Sequence, residues 1–133
     1  MKTYKIIQEL NDTDPPKEHE KEAAKILAEY FRSDLLFMRK KANTTPDLKN
    51  LSTGQIWEIK SPLGNGKRTI ANNLREASHQ SENVVLDLSR CKINNQSALS
   101  RVRGFLSSGD AHIKRLLVID KSKKVIDFSN SKR

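Results

Sequence analysis

The chain has 133 residues, of which 35% are hydrophobic and 31% are charged, so it is long enough for one core but too short for two. Its net charge of +9 favours a polyanionic partner, most commonly nucleic acid, with an anionic membrane surface as the alternative. The single cysteine, Cys91, excludes an intramolecular disulfide and zinc sites built from paired cysteines, and no apolar run is long enough to span a membrane.

The predicted elements interleave strands with helices. After an N-terminal extension over residues 1–15, apolar residues spaced by three and four predict a helix over about 16–32. Short apolar or alternating runs predict strands at 35–38, 55–61, 83–88, 115–119 and 125–128, and helices are predicted at 69–80 and 98–107. The core therefore spans about 16–128, and residues 129–133 are expected to be a frayed tail. The order predicts a single α/β domain over 1–133, with one mixed sheet flanked by helices and a C-terminal helix and hairpin.

Three charged residues form the candidate active site. Side chains alternate along a strand, so Glu58 and Lys60 are expected on one face and Trp57 on the other. Asp47 precedes this strand, and a hairpin-like return would place its carboxylate beside Glu58. Two neighbouring carboxylates suit Mg²⁺ or Mn²⁺, and Lys60 would hold or help deprotonate the attacking water. The alternative is an ion pair between Glu58 and Lys60 on a solvated sheet face.

The loop after this strand is a candidate substrate-phosphate site. Gly64–Thr69 opens the second predicted helix, and backbone N–H groups at a helix N-terminus bind phosphate. Lys67 and Arg68 add positive charge, and Ser61 and Thr69 offer hydroxyls at the two ends of the loop. The alternative is a flexible connection with a Thr or Gly cap.

Two polar residues on the helix that follows are further candidates. Asn73 and Gln80 are seven residues apart, so a helix would place them on one face. They would support the site by positioning water or phosphate. The alternative is that both are solvated polar residues.

The pattern Pro46-Asp47 followed by Glu58-Ile59-Lys60 resembles the PD-(D/E)XK motif of the restriction-endonuclease-like nuclease superfamily. The αβββαβ core of that superfamily fits the order predicted over residues 16–88. The resemblance implies an endonuclease that hydrolyses phosphodiester bonds, with Asp47, Glu58 and Lys60 as catalytic residues. It also implies that an acidic residue of the first helix, here Glu22, joins Asp47 and Glu58 as a metal ligand, and it favours Gln80 as a supporting residue.

A wider stretch, roughly residues 18–128, resembles the C-terminal nuclease toxins of contact-dependent growth inhibition systems and related phage and mobile-element domains. The residues that carry this resemblance are Pro46-Asp47, the strand 56–62, the Gly64–Lys67 loop, Thr69-Ile70 with Asn73, and the strand 83–88. It implies cleavage of tRNA or DNA, with tRNA favoured, and neutralisation by a cognate immunity protein. It further implies a cytoplasmic site of action after delivery as the C-terminal part of a larger secreted protein.

Three other functions remain open on the sequence. One is a DNA endonuclease of the same fold from a phage or mobile element. Another is a metal-independent ribonuclease of a different fold, which would ignore EDTA. The third is a nucleic-acid-binding module without catalytic activity.

Overall fold

Helices and strands alternate along the part of the chain that the structure, a computed structural model, describes: residues 3–8, 15–38, 47–109 and 112–129. Pro46 of the predicted motif and residues 130–133 of the predicted tail lie outside these ranges. In chain order the elements are β1 (Ile6–Gln8), α1 (Glu18–Phe31), β2 (Leu35–Phe37), β3 (Leu48–Asn50), β4 (Ile56–Lys60), α2 (Thr69–Ser78), β5 (Asn83–Asp87), α3 (Asn95–Ser108), β6 (Arg115–Ile119) and β7 (Val125–Asp127). The predicted α/β class, the αβββαβ order and the C-terminal helix and hairpin are confirmed.

All described strands belong to one mixed sheet whose spatial order follows the chain from β1 to β7. The central strands β4, β5 and β6 are parallel, whereas β2–β3, β3–β4 and β6–β7 are antiparallel pairs. Within the predicted N-terminal extension, β1 pairs in parallel with β2 at the edge of the sheet, with Ile6 opposite Leu35. Because β4 and β5 are parallel neighbours, their carboxyl ends lie at the same edge of the sheet, and Lys60 and Asp87 are their last residues.

The sheet buries apolar side chains on both faces. On one face, α1 packs Leu27 into a cluster with Trp57 and Ile59 of β4. On the other face, α2 and α3 pack against the alternate residues of the central strands, so that Leu74 shares a cluster with Val84. This division explains the lack of strict polar alternation in β5 and β6, since strands covered on both faces are apolar throughout. No helix in the described ranges is long and apolar enough to cross a membrane.

Two helix boundaries differ from the prediction. The helix predicted to end at Gln80 ends at Ser78, because the Gln80 N–H donates to the carbonyl three residues earlier, Ala77 O, at 2.9 Å. This tighter turn places Gln80 after α2 rather than on it. The helix predicted to begin at residue 98 begins at Asn95, because the Asn94 side chain caps it by accepting a hydrogen bond from a backbone N–H of the first turn.

Ser129, the first residue of the tail predicted over 129–133, is packed against the sheet. Ser129 is 6% exposed, and its Oγ accepts a hydrogen bond from the Leu116 N–H at 3.0 Å. Its own N–H donates to the Asp127 carboxylate at 2.8 Å. Ser129 therefore ties the chain after β7 to the start of β6. The contact joins residues 13 positions apart, so no local sequence pattern indicates it.

Candidate active site

Glu58 and Lys60 lie on the face of β4 that α2 covers. They stand opposite Val84 and Leu86 of β5, two residues that belong to the core beneath α2 and α3. The Lys60 Nζ lies 3.7 Å from Glu58 Oε2, and the two side chains are 17% and 4% exposed. The predicted shared face is confirmed, with Glu58 buried and Lys60 partly exposed.

Asp47 is joined to the same strand through its side chain. Its Oδ2 accepts a hydrogen bond from the Ile59 N–H at 2.9 Å, and its own N–H donates to Trp57 O at 3.2 Å. Since Leu48 is opposite Trp57 in the antiparallel pair, continuing that register by one residue puts Asp47 opposite Glu58. The hairpin-like return expected from the sequence is therefore present, and it brings a 7%-exposed Asp47 to the strand that carries the other two residues.

Glu76 on α2 is a residue of the site that the sequence reasoning missed. Its carboxylate forms a close ion pair with Lys60 Nζ, and this hydrogen-bonded ammonium holds the pKa of Glu76 below its ordinary value. The signal was available, because Glu76 is three residues after Asn73 and four before Gln80, and so falls on the helix face that was singled out. Lys60 is consequently held between one buried and one exposed carboxylate.

The two polar residues predicted on that face are placed differently. The Asn73 side chain donates from Nδ2 to Thr69 O at 2.8 Å, which is a carbonyl of its own helix. Gln80 lies in the turn after α2, where its N–H bonds to Ala77 O. Their support of the site stays a prediction.

A second group of polar residues lies at the carboxyl ends of β4 and β5. Ser61 Oγ donates to Asp87 Oδ2 at 3.3 Å, and Asp87 Oδ1 accepts from the Ser89 N–H at 3.0 Å. Asp87 is 2% exposed. Arg90 Nη2 donates to Ser61 O at 3.2 Å and lies 3.2 Å from His19 Nε2. Ser61 was a predicted site residue, whereas its partners Asp87 and Arg90, and His19 beyond Arg90, were not.

The first helix approaches this edge through its first turn. His19 contacts Arg90, whereas Glu22 pairs with Lys25 at 3.9 Å and its side chain is 51% exposed. The helix packs on the sheet face that buries Trp57, opposite the face with Glu58. The structure therefore joins His19, rather than Glu22, to the described polar network, and metal binding by Glu22 stays a prediction.

Side chains from beyond β5 hold the loop after β4 in place. Cys91 Sγ donates to Gly64 O at 3.4 Å, and Arg101 Nη1 donates to Gly66 O at 3.2 Å. Cys91 is 2% exposed, so it is a core residue as expected rather than an accessible thiol. These contacts give the predicted phosphate loop a defined path, which weakens the alternative of a flexible connection.

Thr69 fits closely against the two loop glycines. A Cβ added at either Gly64 or Gly66 would lie 3.2 Å from Thr69 Oγ1, which is tight enough to force a local shift. Lys67 and Arg68 are exposed, so their charges face solvent at the start of α2. The loop therefore presents cations outward, although phosphate binding by it stays a prediction.

The residues present suit a hard divalent cation. Asp47 directly before β3 and Glu58 on β4 are buried carboxylates, and Mg²⁺ is commonly held by one or two carboxylates together with waters. Among the described residues, no group of three or more His, Cys, Asp or Glu side chains is arranged to hold a metal ion. The pair fits the group in kind and number, whereas the three-carboxylate set that includes Glu22 is not assembled here.

The comparisons with known proteins agree with this fold. A family model described as the contact-dependent growth inhibition CdiA C-terminal domain matches residues 44–125. A solved structure titled CdiA-CT/CdiI toxin and immunity complex from Burkholderia pseudomallei is similar with a TM-score of 0.59 and 17% identity, covering 90% of this chain and 96% of that one. No curated protein sequence matches. The family match runs from β3 to the first residue of β7 and includes Asp47, Glu58 and Lys60, and the chain therefore belongs to the CdiA C-terminal domain family of contact-dependent growth inhibition.

Proposed function

We propose that this domain is a metal-dependent nuclease that hydrolyses phosphodiester bonds, of the PD-(D/E)XK type. The observation that carries the proposal is the joining of Asp47 to the backbone of the strand that bears Glu58 and Lys60. Buried carboxylates and an ammonium facing one side of a strand disturb an otherwise apolar sheet, and such departures are common at functional sites. The net charge of +9 supports a polyanionic substrate.

Each residue then has a distinct task. Asp47 and Glu58 would hold Mg²⁺ or Mn²⁺. The bound ion would lower the pKa of a water and offset charge on the phosphate. Lys60, held by Glu58 and Glu76, would donate hydrogen bonds to the attacking water or to a phosphate oxygen. The Asp47 hydrogen bond to the β4 backbone fixes one carboxylate, so little reorganisation is needed when the metal binds.

We further propose tRNA as the substrate, with DNA as the alternative for the same site. The support is membership of the CdiA family and the resemblance to nuclease toxins of these systems. The similar Burkholderia chain is described as a toxin in complex with an immunity protein, and we propose that a cognate immunity protein binds this domain too. Delivery as the C-terminal part of a larger secreted protein, followed by action in the cytoplasm, completes the proposal.

The test is incubation of the purified domain with total tRNA and with plasmid DNA, in Mg²⁺, in Mn²⁺ and in EDTA, resolved on gels. Cleavage in metal but not in EDTA is expected. Asp47→Asn and Lys60→Ala should each abolish it, whereas Lys114→Ala should not, because Lys114 pairs with Glu82 at the opposite end of the sheet with both side chains largely exposed.

Each rival gives a different result in that experiment. A metal-independent ribonuclease would cleave equally well in EDTA. A binding module would retard the nucleic acid without cutting it. Full activity of Asp47→Asn or Lys60→Ala would reject the assigned site even if the domain is a nuclease.

A further inference from the structure

Arg90 is a half-buried cation held by neutral groups. Its Nη2 lies 3.2 Å from Ser61 O and 3.2 Å from His19 Nε2. Arginine has no acceptor, so Nη2 is the donor in both contacts and His19 Nε2 is the acceptor in the second. Among the described residues, no carboxylate forms an ion pair with Arg90.

The guanidinium has further donors that point to a ligand. Its Nε is buried and has no hydrogen-bond partner within the described residues. Arginine carries five N–H donors in a planar fork that matches two oxygens of a phosphate. A partly desolvated charge needs a compensating group, and the protein supplies a carbonyl and an imidazole that orient the fork without cancelling its charge.

The location ties Arg90 to the proposed active site. Arg90 donates to the carbonyl of Ser61, the residue that directly follows Lys60 at the end of β4. It comes three residues after the buried Asp87, at the end of the neighbouring parallel strand. Arg90 therefore lies at the edge of the sheet where β4 and β5 end, on the side of α1, whereas Lys60 projects from the same edge toward α2.

We propose that Arg90 binds a backbone phosphate of the nucleic acid at the edge of the sheet where β4 and β5 end, and that His19 is the positioning residue that orients it. This inference rests on the proposed nuclease function. Replacing the neutral partners by a carboxylate would tether the guanidinium equally well but neutralise it. The choice of an imidazole and a carbonyl keeps the positive charge available to the substrate.

The test measures binding rather than activity, in EDTA, with a short fluorescein-labelled RNA and a DNA of the same sequence over a series of salt concentrations. Arg90→Ala is expected to raise Kd by about 10–100-fold, as for loss of a charged hydrogen bond, and to reduce the slope of log Kd against log salt by about 1. His19→Ala should raise Kd while leaving the slope unchanged. His19→Gln, whose amide oxygen can accept the same hydrogen bond, should restore binding.

Arg103→Ala is the matched control, because this exposed arginine of α3 lies with its Cζ 5.8 Å from the centre of the Phe128 ring, away from the carboxyl ends of β4 and β5. A Kd and slope for Arg90→Ala equal to those of the control would overturn the inference. If a melting curve shows that Arg90→Ala does not fold, Arg90→Lys keeps the charge without the fork. It should retain the slope but bind more weakly, and wild-type affinity would overturn the inference.

The outcome separates this inference from the proposed function. A wild-type domain that cleaves nucleic acid, together with an Arg90→Ala variant that binds normally, rejects the Arg90 inference alone. A wild-type domain that binds through Arg90 but never cleaves rejects the nuclease and leaves a phosphate-binding site.

Discussion

Lys60→Met tests how strongly the fold depends on the ion pair of its own candidate site. The substitution keeps most of the volume of the side chain and removes the ammonium from beside Glu58, whose side chain is 4% exposed. A carboxylate that loses its ammonium while still buried is costly, because the loss of Coulomb attraction is not offset by water. We therefore expect the variant to fold with reduced stability.

The size of the loss follows from the distance. Two unit charges 3.7 Å apart attract by about 1 kcal/mol in water and about 4.5 kcal/mol at an effective dielectric constant of about 20. Protonating an ordinary glutamate at pH 7 costs about 3.7 kcal/mol, which limits the loss because the Glu58 carboxylate can take up a proton instead. The expected destabilisation is therefore about 2–4 kcal/mol at pH 7.

Urea unfolding in EDTA at pH 7 measures this loss without a contribution from metal binding. Adding Glu58→Gln to Lys60→Met should recover at least half of it, because the amide carries no charge to bury. Lys114→Met is the matched control, since the pair with Glu82 has the same 3.7 Å distance but side chains that are 74% and 63% exposed, and should cost less than about 1 kcal/mol. A Lys60→Met loss no greater than this control would refute the reasoning.

Five further substitutions, at four positions, separate structure from function. Asp47→Ala should cost about 1–3 kcal/mol because the Ile59 N–H loses its acceptor, whereas Asp47→Asn should keep most of that stability and lose cleavage, as urea melts and gel assays would show. Glu76→Gln should destabilise by less than about 1 kcal/mol at pH 7. Since the folded pKa of Glu76 is lowered, that stability is fully present above about pH 4.5, and the difference between variant and wild type should shrink as the pH falls through the folded pKa, as melts at a series of acidic pH values would show. Gly104→Ala should stabilise α3 by about 0.5–1 kcal/mol, because its Cβ meets nothing within 4 Å, whereas Gly66→Ala should not stabilise, and thermal melts of the two would compare them.

Local periodicity was sufficient to predict the central strand of the site. From Trp57 to Lys60 the apolar and charged residues alternate, and the structure puts Trp57 and Ile59 in the core beneath α1. Glu58 and Lys60 fall on the other face because a strand has a period of two. The position of Asp47 was also within reach, since a short return between neighbouring strands is the commonest connection.

The contacts from other elements could not be predicted in the same way. Arg90 reaches both Ser61, 29 residues earlier, and His19, 71 residues earlier. These contacts depend on the parallel register of β4 and β5 and on the angle at which α1 crosses the sheet, and neither leaves a local pattern. Glu22 was chosen for its position on α1, and it lies in the second turn of that helix. The contact with the polar network is made from the first turn, by His19.

The two charged residues on an otherwise apolar sheet face locate the site more precisely than the sequence motif does. On the α2 face of the sheet, β5 carries the apolar residues Val84 and Leu86. The opposite positions of β4 carry Glu58 and Lys60. A sheet built for stability alone would continue the apolar surface there, because a buried ion pair is rarely better than packed hydrocarbon. We therefore expect apolar residues at these two positions to raise the free energy of unfolding. A Glu58→Leu, Lys60→Met double variant that unfolds at a higher urea concentration than the wild type, with no cleavage, would show that the pair is retained for activity, whereas a less stable double variant would show that the pair is structural.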